Sequence, residues 1–148
     1  MLIKSLQFLA LFLTTLALLP GGAHFFELPN KIGMPQEHYF TVQGIYAGWA
    51  LFGFVLIPAV LADFALAYVL RDQMWPAVLA LAAAVFMLTT LVTFFLWVQP
   101  ANLATSFWTT VPENWQTLRS QWEYTHALNA VLTFAAFCAL TLALILRR

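Results

Sequence analysis

Two short motifs place a histidine and a carboxylate near the ends of two long apolar segments. Glu123 and His126 stand three residues apart at the start of the last segment, and His24 and Glu27 stand three residues apart after the first. Residues at this spacing lie on one face of an α-helix, so each pair can act together. If the two segments are neighbours, we expect the four side chains to converge near one membrane face. Ionisable groups are costly there and indicate function.

Four kinds of chemistry fit this cluster. The first is a metal site with His24, Glu27, Glu123 and His126 as ligands, because Glu-x-x-His presents both ligands inward from one helix of a bundle. Only one motif runs in that direction here, which favours a mononuclear Fe, Zn, Mn or Cu site over a di-iron site. Axial ligation of haem by the two histidines is the second. The third is an acid/base site without a cofactor, and the fourth is a polar network that only holds the helices together.

The last segment carries a polar and aromatic stripe. An α-helix advances by about 100° per residue, so steps of four, three, four and three place the following residues on one face: Trp115, Arg119, Trp122, His126 and Asn129. Glu123 lies at the edge of the stripe, which should face the bundle interior. We expect Arg119 to stack on Trp115 or Trp122 as a cation–π contact. Arg119, Glu123 and His126 are therefore the candidate catalytic residues.

A ligand has further candidate contacts in the region that follows the first span. Gln43 and Tyr46 are three residues apart and can both donate a hydrogen bond to a carbonyl or hydroxyl group. Asn30 and Trp122 complete the candidate ligand-binding set. The alternative is that Gln43 and Tyr46 cap helices or bond the loop backbone.

Composition determines the class of protein. Of 148 residues, 63% are hydrophobic and 8% are charged, whereas about 25% are charged in soluble domains. The net charge is zero and there is no basic run, so nucleic acid is not an expected partner. The expected partners are membrane lipid, a hydrophobic small molecule or other membrane subunits.

Four apolar runs are long enough to cross a bilayer, which takes about 20 helical residues. They predict spans at about 2–23, 42–70, 75–98 and 119–146. The runs lack the strict alternation of barrel strands. The sequence therefore predicts a single domain over residues 1–148, an all-α integral membrane four-helix up-down bundle.

Positive charges predict the orientation of the bundle. Lys4, Arg71, Arg147 and Arg148 fall on one side, and Lys31 and Arg119 on the other. The positive-inside rule then places both termini in the cytoplasm and both long loops outside. An aromatic belt is expected near the outer face from four tryptophans: Trp97, Trp108, Trp115 and Trp122.

The first apolar run also has features of a signal peptide. It has a lysine, an apolar stretch and small residues before a possible cleavage point after Ala23. Retention of the segment as the first span is the simpler interpretation.

One carboxylate falls in the middle of a span. Inserting a charged side chain such as that of Asp63 at the centre of a membrane helix costs about 2.5–3.5 kcal/mol of free energy. Gln7 in the first span is a candidate hydrogen-bond partner. Asp63 serves either a proton relay or packing through a hydrogen bond. In the same span, Gly44 and Gly48 form a small-xxx-small pair that would permit close helix approach.

Two stretches resemble a known family. Residues 22–31 (GAHFFELPNK) and the pattern Trp115-x-x-x-Arg119-x-x-Trp122-Glu123-x-x-His126 resemble small bacterial four-helix membrane proteins of unknown function, which are distantly similar to the anthrone-oxygenase-like family. The resemblance implies a four-helix fold in a bacterial inner membrane. It also implies oxygenation of polycyclic phenolic substrates without a well-defined cofactor. The roles in acid/base chemistry or cofactor binding would fall on these residues: His24, Glu27, Arg119, Glu123 and His126.

Three functions remain open from the sequence. The protein is a membrane oxygenase or other redox enzyme with its site near the outer face, or a non-catalytic accessory or structural subunit of a membrane complex. The third is a small transporter that uses Asp63, which is disfavoured because four spans are few and no internal repeat is visible.

Overall fold

The computed structural model describes residues 2–147, and it confirms the all-α fold. Its helices are α1 Leu2–Lys31, α2 Gln36–Gln43, α3 Gly53–Val69, α4 Met74–Thr93, α5 Gln99–Ala104 and α6 Trp115–Ile145. Two 3₁₀ turns, Gly44–Tyr46 and Trp49–Phe52, join α2 to α3, and a π-helical turn, Phe94–Val98, joins α4 to α5. Arg148, which contributed to the predicted orientation, lies outside the described residues.

Four helical segments are long and apolar enough to cross a membrane. They are Ile3–Lys31, Trp49–Val69, Met74–Ala104 and Trp115–Ile145. Large apolar side chains remain exposed along them, such as Phe8, Phe54 and Ile145. Outward faces of this kind suit contact with lipid.

The four long helices form a closed antiparallel ring. α6 packs against α1 and α4, and α3 packs against the same two helices. The up-down bundle is therefore confirmed, and α1 and α6 are neighbours. At the far end of this pair, Arg147 Nη1 donates to Gln7 Oε1 at 2.6 Å, so the start of α1 lies against the end of α6.

Small residues bring α1 close to α6. A Cβ added to Gly21 would lie 3.4 Å from the Cα of Ala130, which is the close backbone approach that membrane helices achieve through small side chains. The prediction for Gly44 and Gly48 was wrong, because a Cβ at either position would meet nothing within 4 Å.

The first span ends later than the sequence predicts. α1 continues past Ala23 to Lys31 and contains Pro20 and Pro29. Proline is tolerated in membrane helices because neighbouring groups satisfy the freed backbone carbonyl. Glu27 and Lys31 also form an i, i+4 pair in the favourable order, with the lysine in the last turn, where it complements the helix dipole. This extension carries the first His/Glu motif on a helix.

The other spans differ mainly at their starts and ends. The second was predicted from Val42, but its helix α3 begins at Gly53, after α2 and the two 3₁₀ turns. The third continues through the π-helical turn as far as Ala104, beyond the predicted Val98. The fourth begins at Trp115, four residues before the predicted Arg119, and ends at Ile145.

Gly48 separates the 3₁₀ turns because its φ of +86° lies in the left-handed region. We expect Gly48→Ala to lower the free energy of unfolding by about 1–2 kcal/mol, since a Cβ is strained in that region. Gly22 lies inside α1 with open space at its Cβ position, so Gly22→Ala should instead raise that free energy by about 0.5–1 kcal/mol. Denaturant unfolding of both variants in detergent measures the two values, and effects of the same sign would contradict the assignment.

Candidate functional site

Lys31 lies at the centre of a buried polar cluster, and the residue is only 2% exposed. Its ammonium lies 3.2 Å from Glu27 Oε1 and 3.0 Å from Glu123 Oε1. It donates to the Tyr46 hydroxyl at 2.8 Å. A lysine has three N–H donors, so each has one acceptor. One cation thus joins a carboxylate of α1 to a carboxylate of α6.

Aromatic rings surround the same ammonium. Lys31 Nζ lies 4.2 Å from the centroid of Tyr46 and 4.6 Å from that of Trp122. Such cation–π contacts gain strength when they are desolvated. Lys31 is not among the predicted site residues, because the sequence places it in the loop after the first span. Its i, i+4 spacing from Glu27 is the signal that would have found it.

His24 and Glu27 form an oriented pair. His24 Nδ1 lies 2.9 Å from Glu27 Oε1, and the same oxygen accepts from Lys31. Burial, together with the nearby Glu27 carboxylate, raises the pKa of the Tyr46 phenol. Two donors on one carboxylate oxygen, one of them an ammonium, are typical of its ionised form. Nδ1 of His24 then carries the hydrogen, which leaves Nε2 with a free lone pair.

Glu123 is held by a second chain of hydrogen bonds. Its side chain is fully buried, and Oε1 accepts from the Tyr39 hydroxyl at 2.9 Å. Gln43 Nε2 in turn donates to that hydroxyl. Burial and the negative charge of Glu123 raise the pKa of the Tyr39 phenol, so it stays a donor. Within residues 2–147, Glu123 Oε2 and Gln43 Oε1 are buried without a hydrogen-bond partner, which leaves two acceptors available.

The two histidines stack face to face. The ring centroids of His24 and His126 are 4.1 Å apart with an interplanar angle of 23°. Trp122 lies edge-on to His126 at 4.2 Å, and Tyr46 and Trp49 flank His24 at 4.7 and 5.3 Å. His24 is buried and His126 is half-buried. The imidazoles therefore occupy an aromatic box with limited access for water.

Arg119 supports the cluster from one side. Its guanidinium stacks over the ring of Trp115 at 4.7 Å, which confirms one of the two predicted cation–π contacts. Nη1 donates to the Met34 carbonyl at 2.8 Å. Arg119 thus ties α6 to the turn after α1, whereas the cation paired with Glu123 is Lys31.

The connection before α6 brings tryptophans into the site. Asn102 Oδ1 accepts from the indoles of Trp122 at 2.9 Å and Trp108 at 3.1 Å. Ser106, Phe107 and Trp108 all have positive φ values, a conformation that is costly for side chains other than glycine. Trp108 and Trp122 are 6% and 4% exposed, so these two pack inside the protein and are not part of an outer aromatic belt.

The structure unites most of the predicted site. His24, Glu27, Glu123 and His126 come together across α1 and α6, as the sequence predicts for neighbouring helices. Three of the candidate ligand-binding residues, Gln43, Tyr46 and Trp122, join them, and they do so through contacts within the protein. Asn30 is exposed on α1 and takes no part in these contacts.

The donor geometry does not fit the predicted metal or haem. In the part of the chain that is described, no group of three or more His, Cys, Asp or Glu side chains is placed to hold a metal ion. The Lys31 ammonium already lies between the two carboxylates. Axial haem ligands approach from opposite faces of the macrocycle, whereas these two imidazoles contact each other.

Comparisons with known proteins give no relative for this arrangement. No family model, curated protein or solved structure matches the chain.

Asp63 belongs to a separate part of the bundle. It is fully buried in α3, and Oδ2 accepts from the Thr14 hydroxyl at 3.5 Å. The prediction that Gln7 is its partner was wrong, because Gln7 bonds Arg147. Oδ1 of Asp63 has no hydrogen-bond partner among the residues described. Its proposed role in a proton relay stays a prediction.

Proposed function

We propose that this protein is a membrane enzyme that performs acid/base chemistry without a cofactor, an oxygenase-like oxidoreductase for hydrophobic phenolic substrates. The hydrogen bond between Glu27 and His24 Nδ1 carries the acid/base part of the proposal, and the resemblance noted for the sequence supplies the reaction and the substrate class. A base held in one tautomer by a carboxylate is the usual arrangement of an enzymatic general base. The aromatic rings around His24 also limit its contact with water. This favours a role in a reaction over that of a solvated side chain.

His24 would act as the base through Nε2. It takes a proton from a phenolic O–H or from a C–H that flanking aromatic rings make acidic. Stabilisation of the imidazolium comes from the Glu27 carboxylate, which Lys31 keeps ionised through its hydrogen bond. The anion formed is the electron donor and dioxygen the oxidant. When a methylene becomes a ketone, one oxygen atom enters the product and the other leaves as water.

The remaining residues would bind and orient the substrate. His126, the half-buried ring of this box, would stack against a flat ring, and Trp122 would support it from behind. The two acceptors without partners, Glu123 Oε2 and Gln43 Oε1, suit hydroxyl groups. Arg119 and Tyr39 would hold these two acceptor side chains in position.

Oxygen uptake tests this function. The protein is placed in nanodiscs with anthrone and a hydroxylated anthrone, and consumption of dioxygen is measured with an electrode. We expect His24→Ala to lower the rate by about 10²–10⁴-fold, the usual contribution of a general base. The exposed His38 provides the matched control, and His38→Ala should keep the rate of the unchanged protein. No uptake above empty nanodiscs, or equal rates with and without His24, would refute the proposal.

A structural role is the second candidate, and one observation favours it. All three N–H donors of Lys31 have acceptors, which is how polar groups fasten membrane helices together. An accessory or structural subunit of a membrane complex would then lose stability on His24→Ala, would consume no oxygen and would co-purify with other membrane proteins.

A further inference from the structure

A groove between α3 and α4 lies at the opposite end of the bundle from the His/Glu cluster. It has a volume of about 490 Å³, and its walls are formed mainly by apolar side chains that include Phe64, Ala67, Val78 and Leu81. Arg71 and Tyr68 line the same groove. The groove therefore has a cation and apolar walls side by side, on a face of the bundle that suits contact with lipid.

Arg71 is held in a defined position. Its guanidinium stacks over the ring of Tyr68 at 4.5 Å, and Nη1 donates to the Tyr68 carbonyl at 3.1 Å. Arginine has five N–H donors in a planar fork, so most of them remain for another acceptor. This fork matches the geometry of a phosphate group. A fixed cation also loses less rotamer entropy when it binds.

The surrounding charge favours an anion. Lys4 at the start of α1 and Arg147 at the end of α6 lie at the same end of the antiparallel bundle as Arg71. Asp72, exposed beside Arg71, is the acid of this turn. The three cations leave this end basic, and basic residues at a membrane surface attract anionic lipids.

We propose that this groove binds one anionic phospholipid, with its phosphate on Arg71 and one acyl chain between α3 and α4. The distance from Met74 to Leu81 along α4 is about 10 Å, at 1.5 Å per residue. An acyl chain can follow this length and cover the apolar walls. A free phosphate ion would contact the cation but leave those walls uncovered.

Native mass spectrometry of the detergent-purified full chain tests the lipid site. Phosphatidylglycerol and phosphatidylcholine with identical acyl chains are titrated separately. We expect one phosphatidylglycerol to bind with about fivefold preference, the effect of roughly one basic residue near a membrane surface. Arg71→Gln should abolish the preference. Lys4→Gln removes one positive charge at the same end but changes no wall of the groove, so it should keep most of the preference.

A second variant tests the part of the groove that would hold the acyl chain. Ala67→Leu narrows the groove without changing charge, and it should weaken the binding of both lipids. Equal binding of the two lipids by the unchanged protein would overturn the proposal. An equal loss of preference in Lys4→Gln and Arg71→Gln would also overturn it, because general surface charge would then explain the effect. Full displacement of the lipid by inorganic phosphate, or dimerisation through the groove, would do the same.

Discussion

Lys31→Met should lower the free energy of unfolding by about 3–5 kcal/mol, the usual cost of removing one partner from a buried ion pair. Lys31 is the cation that lies between Glu27 and Glu123, and Glu123 is fully buried. Methionine keeps much of the apolar stem but leaves the two carboxylates facing each other. Titration with sodium dodecyl sulfate in mixed micelles, followed by circular dichroism, measures the change.

A double variant separates charge from packing. If uncompensated charge causes the loss, Lys31→Met combined with Glu123→Gln should be more stable than Lys31→Met alone, because a buried negative charge is removed. Lys4→Met is the matched control: Lys4 is exposed, so its effect should stay within about 0.5 kcal/mol. A Lys31→Met protein as stable as the unchanged chain would show that the ammonium does not compensate these carboxylates.

Glu27→Gln should lower the oxygen-uptake rate by about 10²–10⁴-fold, because the carboxylate fixes the tautomer of the proposed base. A glutamine side chain can either donate to His24 Nδ1 or accept from it. Where the amide donates, His24 carries its hydrogen on Nε2, which cannot accept a proton from a substrate. In either tautomer the imidazolium that forms also lacks the negative charge of Glu27, and this loss accounts for most of the expected effect. Lys31 keeps its contact with Glu123, so the variant should still fold.

Nuclear magnetic resonance of ¹⁵N-labelled histidine reads the tautomer directly. His24 should carry its hydrogen on Nδ1 in the unchanged protein and become mixed in Glu27→Gln. Glu37 is exposed in the first turn of α2, so Glu37→Gln should leave both the resonances and the rate unchanged. A His24 that carries its hydrogen on Nε2 before any substitution would contradict the arrangement of the base, whatever the substrate.

Local residue types predicted much of the site. Because Glu123 and His126 are three apart on one long apolar helix, their shared face follows from helix geometry alone. The same holds for the stacking of Arg119 on Trp115. The contacts of Lys31 with Glu123 and Tyr46 could not be placed in this way, nor could Tyr39, because these partners lie on other elements. Tyr39 lies in α2 and bonds Glu123 of α6, 84 positions away in sequence.

The sequence by itself determined the number of spans and the all-α fold. Each span needs its own run of apolar residues, and in a bilayer a helix satisfies its backbone groups internally, so this information is local. Only the tertiary structure decided that α1 lies beside α6, that the first helix reaches Lys31 and that one lysine joins two carboxylates. The physical reason is that lipid-facing and helix-facing surfaces are equally apolar, so packing of small residues and polar contacts sets the order of the helices.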